Sequence, residues 1–549
     1  MKYIKILSMA IGISSLWSYT AKAQLSALAG KSKHVIVIGF DGLSADGLIH
    51  AATPNFHKIM QEGAYSFHAR AVLPSSSSTN WATMIMGAGP EQHGITSNDW
   101  EKDTFTLPAI VQGEDFLFPT IFSLIDKQIP NAEIGAIYHW DGFGRLFEKN
   151  AVDYDVNTKT EEETAKVASA YIIAKKPTFT FIHFDHIDHA GHEFGHGTPE
   201  YYQSVEKADA LLATLFQAIA TAGIADETMV IISSDHGGVG QGHGGESLQE
   251  VEIPFIVWGK SIKKNLGIKT PVYQYDNAAT VAYALGVSIP TAWVGKPVLN
   301  VFEGINIGDD FPVVSRYLQP VLLPDGKLNK KSGGLFEKET MVVIQNLNTS
   351  GEVLYTTDGT MPSKNSNRYR QAFKINKNTV VKSAVFNEGK INSLVSEAFY
   401  RIKEKGTAAP IDYSVYYLDT LTDLPNVDQM KPDFKGQSFE ITSDEVKAPI
   451  KDNTVVQFTT KIRIDKEDTY TFYLRSDDGS KLWIDSKLIT DNDGDHGVKE
   501  KSGQIMLKPG IYSLQVGWFN GGGNGWLDVF YKSSIISKQI IPTTVLTAQ

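Results

Sequence analysis

The 549-residue chain contains no cysteine, so no disulfide staples it and no thiol can act as nucleophile or metal ligand. Beyond its first residues it has no apolar run of the roughly 18 residues that a membrane-spanning helix requires. It also lacks an excess of positive charge, since 51 Lys and Arg face 62 Asp and Glu for a formal net charge of -11. Such a balance excludes binding along a nucleic-acid duplex, which demands a basic face. The one apolar stretch, in MKYIKILSMAIGISSLWSYTAKA, follows Lys2 and Lys5 and ends in the small-residue site Ala21-Lys22-Ala23. That pattern predicts a signal peptide over residues 1–23, cleaved near Ala23, and a secreted or periplasmic protein. No cysteine follows it, which argues against a lipid anchor there. Residues 1–23 hold three Lys and no acid, so their removal takes the net charge from -11 to about -14.

What is present is a series of side chains suited to metal chemistry, each where a buried strand should hand over to a loop. In HVIVIGFDG an apolar run delivers Asp41 to a glycine turn. FTFIHFDHIDHAGH carries Asp188 and His192 four residues apart, and MVIISSDHGG carries Asp235 and His236, with His243 following in GQGHGGES. An open α/β sheet puts its chemistry at such strand ends. Three Asp and three His form the mixed oxygen and imidazole set that suits zinc better than manganese or iron. Two neighbouring divalent cations need about that many ligands. Each carboxylate taken singly reads as a turn former; together, buried without cations, they would be costly.

These segments, with PSSSSTNWATMIMGAGPEQHGI, resemble the alkaline phosphatase superfamily, specifically its nucleotide pyrophosphatase/phosphodiesterase branch, over about residues 31–305. The resemblance implies an alkaline-phosphatase-like α/β sandwich with a central, mainly parallel sheet, spanning residues 31–312. It implies that Asp188, His192 and His243 hold one metal, and that Asp41, Asp235, His236 and the nucleophile oxygen hold the other. The nucleophile position falls on Ser77, in the setting Pro74, Ser77, Asn80. The chain departs from the family pattern in having four consecutive serines, Ser75 to Ser78, before Thr79, so Ser76, Ser78 and Thr79 stay open as alternatives. Asn80 is expected to donate to a phosphate oxygen, and Trp140 of AIYHWDGFGRLFE to line the leaving-group pocket together with Tyr138 and His139. His183, Asp185, His186, His189 and His196 read as outer-layer or surface groups.

After Val301 helical periodicity fades. Residues 313–335, ending in LPDGKLNKKSGG, read as a linker, and short alternating runs bounded by turn residues follow it, so two all-β sandwich domains are expected. Residues 336–402, with GEVLYTTDGTMPSKNS, resemble the C-terminal β domain of chitobiase- and hexosaminidase-type glycosidases. Residues 412–548, with YTFYLRSDDGSKLWIDSKLITDNDG, resemble the protective-antigen-type β-sandwich. In its sugar-binding members an aspartate pair coordinates calcium, and Asp477 and Asp478 match that pair; Asp491 to Asp495 form a second oxygen-rich loop. DDG and NDG are equally ordinary hairpin turns.

The function expected from the resemblance is a two-metal phosphodiesterase or nucleotide pyrophosphatase that works through a phospho-Ser intermediate on a nucleotide or phosphorylated glycan. A phosphomonoesterase on the same fold is the alternative, with Arg145 as the nearest extra positive group. A sulfatase is disfavoured because the formylglycine precursor pattern is absent. A glycan-binding adhesin with a vestigial enzyme domain is the reading of another class, and the intact ligand series argues against it.

Overall fold

The run VIVIGF is apolar at every position, without the alternation of a half-exposed strand, and in the computed structural model it forms the buried strand β1 (His34–Phe40) of a sheet covered on both faces. The described residues are 32–307, 311–314, 317–326, 333–403, 409–523 and 525–548; the expected signal segment lies outside them. They divide into two units, one running to Val239 and resuming over Glu246–Ser315, the other comprising Gly240–Gly245 and Arg316–Gln549.

The first unit is built on eight strands: β1, β2 (Ala64–Arg70), β3 (Ile134–Tyr138), β4 (Tyr154–Asn157), β5 (Phe179–Phe184), β6 (Thr228–Ser233), β7 (Glu252–Gly259) and β8 (Leu266–Gly267). Their order is β4-β3-β5-β1-β6-β7-β2-β8, and only β7 runs against the rest. Phe40 is level with Phe184 across β1 and β5, and Gly39 with Ser233 across β1 and β6, so the three strands end side by side. Helices α1 (Ser77–Met86), α2 (Glu161–Lys175), α3 (His186–Phe194), α4 (Pro199–Ala222) and α5 (Asp276–Leu285) belong to this unit. One face of the sheet packs Val35, Val37, Phe179 and Phe181 against Trp81 and Ile85 of α1, and the other packs Ile36, Ile38 and Ile182 against Leu212 and Leu215 of α4. Gly39 makes the first arrangement possible, because a Cβ there would meet the Trp81 ring at 2.5 Å.

In the second unit, a three-stranded sheet (Val321–Pro324, Thr340–Gln345, Phe373–Ile375) shares a core with a larger sheet containing Glu352–Thr356, Thr379–Asn387 and Ser396–Ile402. Val321–Pro324 and Gly333–Phe336 both pair into these sheets, so part of the stretch read as a linker is strand. Its short VLLP run, cut off by Asp325-Gly326, was too brief to show a period. A seven-stranded and a four-stranded sheet enclose the next core, around Phe458, Trp518, Phe472 and Val529. Arg401 clasps Glu440 with two nitrogens and Phe399 packs on Phe530, joining the two sandwiches.

Candidate metal centre

The adjacent ends of β5, β1 and β6 deliver the acidic and imidazole groups to one place. Asp41 follows β1 directly, Asp185 follows β5, and Asp235 and His236 follow β6 by one and two residues beyond Ser234. Gly42, at φ +69°, allows the turn, and its missing side chain is what admits Asp188: a Cβ there would sit 2.8 Å from the Asp188 backbone. The Gly42 N–H donates to Asp235 Oδ1 at 3.1 Å. Asp188 is on the first turn of α3 and His192 one turn on, with Asp188 Oδ2 3.1 Å from His192 Nε2.

His236 is the hub. Its Nδ1 lies 2.8 Å from the Gly237 carbonyl, which can only accept, so Nδ1 carries a proton and Nε2 is the ring atom offered to the cluster. Nε2 faces Asp235 Oδ2 at 3.1 Å, Asp41 Oδ1 at 3.5 Å and Ser77 Oγ at 3.2 Å, in a buried setting. Asp41 Oδ1 and Asp235 Oδ2 are buried with no hydrogen-bond partner. The other Asp41 oxygen accepts from Trp81 Nε1 at 3.0 Å and faces His183 Nε2 at 3.3 Å, which fixes the carboxylate plane. Ligand atoms of Asp41, Asp235 and His236 lie within 4.8 Å of one another, and so do those of Asp41, Asp185 and Asp188. Orphaned carboxylate oxygens around an imidazole nitrogen are what a divalent cation fits: it supplies the positive charge that all of them face. Burial, then the charges of Asp41 and Asp188, pushes the Asp235 carboxyl well above the usual carboxylate range.

Ser77 opens α1. Among its neighbours, the Ser76 hydroxyl donates to Thr79 Oγ1 and the Ser78 hydroxyl accepts from Arg145, so of these four hydroxyls Ser77 is the one set against His236. Asn80 is placed otherwise than expected. Its Oδ1 accepts the Val72 N–H, and its amide nitrogen donates to the carbonyls of Val72, Pro74 and Ser76. It clamps the loop entering α1 and has no donor left for a substrate. Asn98, which sequence reasoning passed over, accepts the Ser78 N–H on its Oδ1 at 2.8 Å, which leaves its amide nitrogen as a donor beside the start of α1. Arg145 holds the same loop through the Asn98 carbonyl and is paired with Glu101 at 2.7 Å.

Asp185 was also missed as part of the cluster. It occupies the N-cap position of α3, yet its side chain makes no capping bond, and its oxygens lie near those of Asp41 and Asp188. Burial and those two charges push its carboxyl up to about 8. The signal was present: HFDH ends β5 as GFDG ends β1, with Phe184 and Phe40 in register. His183 is buried against Asp41, whereas His189 is largely exposed. Trp140 is half-buried, with the Arg145 guanidinium 5.8 Å from its ring centre. His243 falls in the 240–245 stretch that groups with the second unit, so its link to Asp188 rests on the sequence resemblance.

In the second unit Asp478 accepts the His496 N–H at 3.1 Å on one oxygen and the Gly521 N–H at 2.7 Å on the other. The Asp477 carbonyl accepts from Trp518 Nε1 at 2.8 Å. Neither belongs to a group of three Asp, Glu or His side chains with converging ligand atoms among the described residues.

Residues 35–243 match the family described as type I phosphodiesterase / nucleotide pyrophosphatase, residues 331–397 the chitobiase/beta-hexosaminidase C-terminal domain, and residues 401–544 the PA14 domain. Human ectonucleotide pyrophosphatase/phosphodiesterase family member 5 is 25% identical over 212 residues, covering 37% of this chain and 44% of the relative. The human GPI ethanolamine phosphate transferase 2 catalytic subunit is 30% identical over 292 residues, covering 49% of this chain and 28% of the relative. The chain thus spans less than half the length of these two relatives. The solved structure of murine ectonucleotide pyrophosphatase/phosphodiesterase 5, an inactive variant in complex with AMP, is 17% identical with a TM-score of 0.42, covering 47% of this chain and 96% of that one. No helix among the described residues is long and apolar enough to cross a membrane. Residues 35–243 are thus similar to the type I phosphodiesterase / nucleotide pyrophosphatase family, and regions similar to the chitobiase/beta-hexosaminidase C-terminal domain and the PA14 domain follow in that order.

Proposed function

We propose that this is a secreted, metal-dependent phosphodiesterase or nucleotide pyrophosphatase in which Ser77 takes the phosphoryl group. The observation that carries the reading is Ser77 Oγ lying 3.2 Å from His236 Nε2, with the Asp41 and Asp235 oxygens around the same atom. Asp41, Asp235, His236 and Ser77 would hold one divalent cation and Asp188, His192 and His243 the other, with zinc the metal best suited to that donor set. Such cations lower the pKa of a serine hydroxyl and of water, and neutralise the charge of the phosphate. The chain's own contribution is placement. Ser77 Oγ attacks phosphorus, one alcohol leaves, and a phospho-Ser ester remains that, for a diester substrate, keeps the second alcohol until water cleaves the Ser–O–P link. Asn98, held by the Ser78 N–H beside the start of α1, takes the oxyanion-donor role expected of Asn80. Trp140 at the rim suits a flat leaving group such as a nucleobase. The two β-sandwich regions are read as a tether to carbohydrate, which would raise the local concentration of a polymer-bound or phosphorylated-glycan substrate. Calcium at Asp477 and Asp478 is the weaker element, because both Asp478 oxygens already accept backbone N–H groups.

Arg145 supports a second reading. Its Nη2 donates to Ser78 Oγ at 2.9 Å, one residue from Ser77, and although its Nη1 is paired with Glu101, its charge would favour the extra negative charge of a phosphate monoester bound there. Rates on bis(4-nitrophenyl) phosphate and on 4-nitrophenyl phosphate, before and after chelation, decide between the two. The diester should be preferred, chelation should stop turnover and zinc restore it, and peptide mass spectrometry should find the trapped phosphoester on Ser77. Faster turnover of the monoester would transfer the assignment to a phosphomonoesterase, and full activity in verified metal-free protein would refute both readings.

A further inference from the structure

Gln274, just ahead of α5, has its backbone pinned from two sides. Its N–H donates to the Arg70 carbonyl at 2.9 Å, and its carbonyl accepts from Asn277 Nδ2 at 2.9 Å. From that fixed base the fully buried side chain reaches between two other segments. Its amide nitrogen donates to the Ser234 carbonyl at 3.0 Å and to the Asn80 carbonyl at 3.4 Å. Ser234 immediately precedes Asp235 and His236, and Asn80 is three residues beyond Ser77 on α1. One amide group thus ties the helix that carries the hydroxyl to the loop that carries the imidazole it faces. Ser234 is braced on its far side as well: its hydroxyl donates to the His236 carbonyl at 2.8 Å and accepts the Leu43 N–H at 2.9 Å, two residues from Asp41. Gln274 therefore closes a ring through the β1 loop, the β6 loop and α1.

The other end of the same amide is anomalous. Gln274 Oε1 is buried and has no hydrogen-bond partner. An unmatched buried carbonyl destabilises the fold, so packing alone would favour methionine, which has the same reach and no oxygen. The nitrogen explains why glutamine stands here. No other side-chain atom donates to both the Asn80 and Ser234 carbonyls among the hydrogen bonds of the described residues.

We propose that Gln274 is a positioning residue which sets the distance between Ser77 and the Asp235–His236 pair, an inference that rests on the reading of Ser77 as nucleophile. It touches neither substrate nor cation. Its loss should leave substrate affinity alone and change what depends on register, namely the rate of phosphoryl transfer and the hold on metal.

The test uses the full chain with Gln274→Met, bis(4-nitrophenyl) phosphate as substrate and zinc as the probe metal. The thermal midpoint should change little, since loss of the two donated bonds is offset by removal of the unmatched oxygen, and KM should stay within about twofold. The kcat should fall at least about tenfold, as displacement of a reacting group by a fraction of an ångström implies, and zinc should be lost to a competing chelator about tenfold more readily. Gln274→Asn, which keeps the amide but draws it back by one methylene, should show the same two losses and serves if the methionine variant does not fold. Folded variants with kcat and zinc retention within about twofold of the parent would overturn the proposal, even if their stability had changed. If the parent itself does not hydrolyse the diester, the functional reading fails on its own, and zinc retention alone decides whether Gln274 sets the register.

Discussion

Asp235 in the first unit and Asp478 in the second are both buried carboxylates that follow closely on a strand, and their surroundings are opposite. Asp478 has each oxygen matched by a backbone N–H, from His496 and Gly521, so the chain itself completes the group. Asp235 has one oxygen engaged by the Gly42 N–H and the Ser234 hydroxyl, while its other oxygen has no hydrogen-bond partner and faces the His236 ring, with the charges of Asp41 and Asp188 nearby. An acidic loop is a candidate cation site where a buried carboxylate oxygen is left without a donor and several such side chains share one space. Where the backbone supplies the donors, the same residue type is a turn fastener.

The largest effect that would sharpen this contrast is on turnover. Ser77→Ala should lower kcat for diester hydrolysis by at least about 10³-fold while the thermal midpoint and the fold are kept, because the hydroxyl is one atom in an otherwise intact cluster. Ser76→Ala should lower it far less, as that hydroxyl is engaged with Thr79. Equal losses in the two variants would undo the choice of Ser77.

The same substitution should then act with opposite sign in the two units. In chelator-treated protein at neutral pH, Asp235→Asn should raise the melting temperature of its unit, since it removes a charge that burial and two like neighbours disfavour. Asp478→Asn should lower stability by about 1–3 kcal/mol, because an amide nitrogen cannot accept the second N–H. Calorimetry on both variants reads the two signs, and a shared sign would break the comparison.

Much of this was open to sequence reasoning. Asp41, Asp235 and His236 were legible because uninterrupted apolar runs lead straight to them, and the parallel sheet follows from the same runs. The orientation of amides was not. Asn80 lies three residues after Ser77 and so shares its side of α1, but the loop of residues 72–76 folds back and captures its whole amide. Asn98 reaches Ser78 from 20 residues away, a tertiary contact that no local pattern encodes. Asp185 reads as an outer group because its spacing from Gly191-His192 fits the family less well than that of Asp188; the missing cap bond that frees its side chain shows only in the structure. Val321–Pro324 escaped notice as a strand because four residues before a turn show no period.

A smaller effect concerns a buried histidine away from the cluster. His93 Nδ1 accepts the Ile95 N–H at 3.0 Å, so a proton there would meet another proton, and its Nε2 is 3.0 Å from Thr83 Oγ1. Burial pushes its pKa down from 6.5 to about 3. The unfolded chain takes up this proton near pH 6.5 and the folded chain does not, so the contribution is complete above pH 6.5. It declines as the pH falls toward 3, by at most about 1.4 kcal/mol per pH unit. His93→Gln should flatten the fall of the first unit's melting temperature between pH 6.5 and 4, and an unchanged slope would show that other groups govern it.

The most direct test of the central claim is a metal count on the full chain after zinc loading and extensive dialysis, for the parent, Asp235→Asn and Asp478→Asn. Two tightly held zinc ions per chain in the parent and in Asp478→Asn, with at least one lost in Asp235→Asn, is the predicted result. A parent that retains no zinc, or an Asp235→Asn variant that retains as much as the parent, would contradict it.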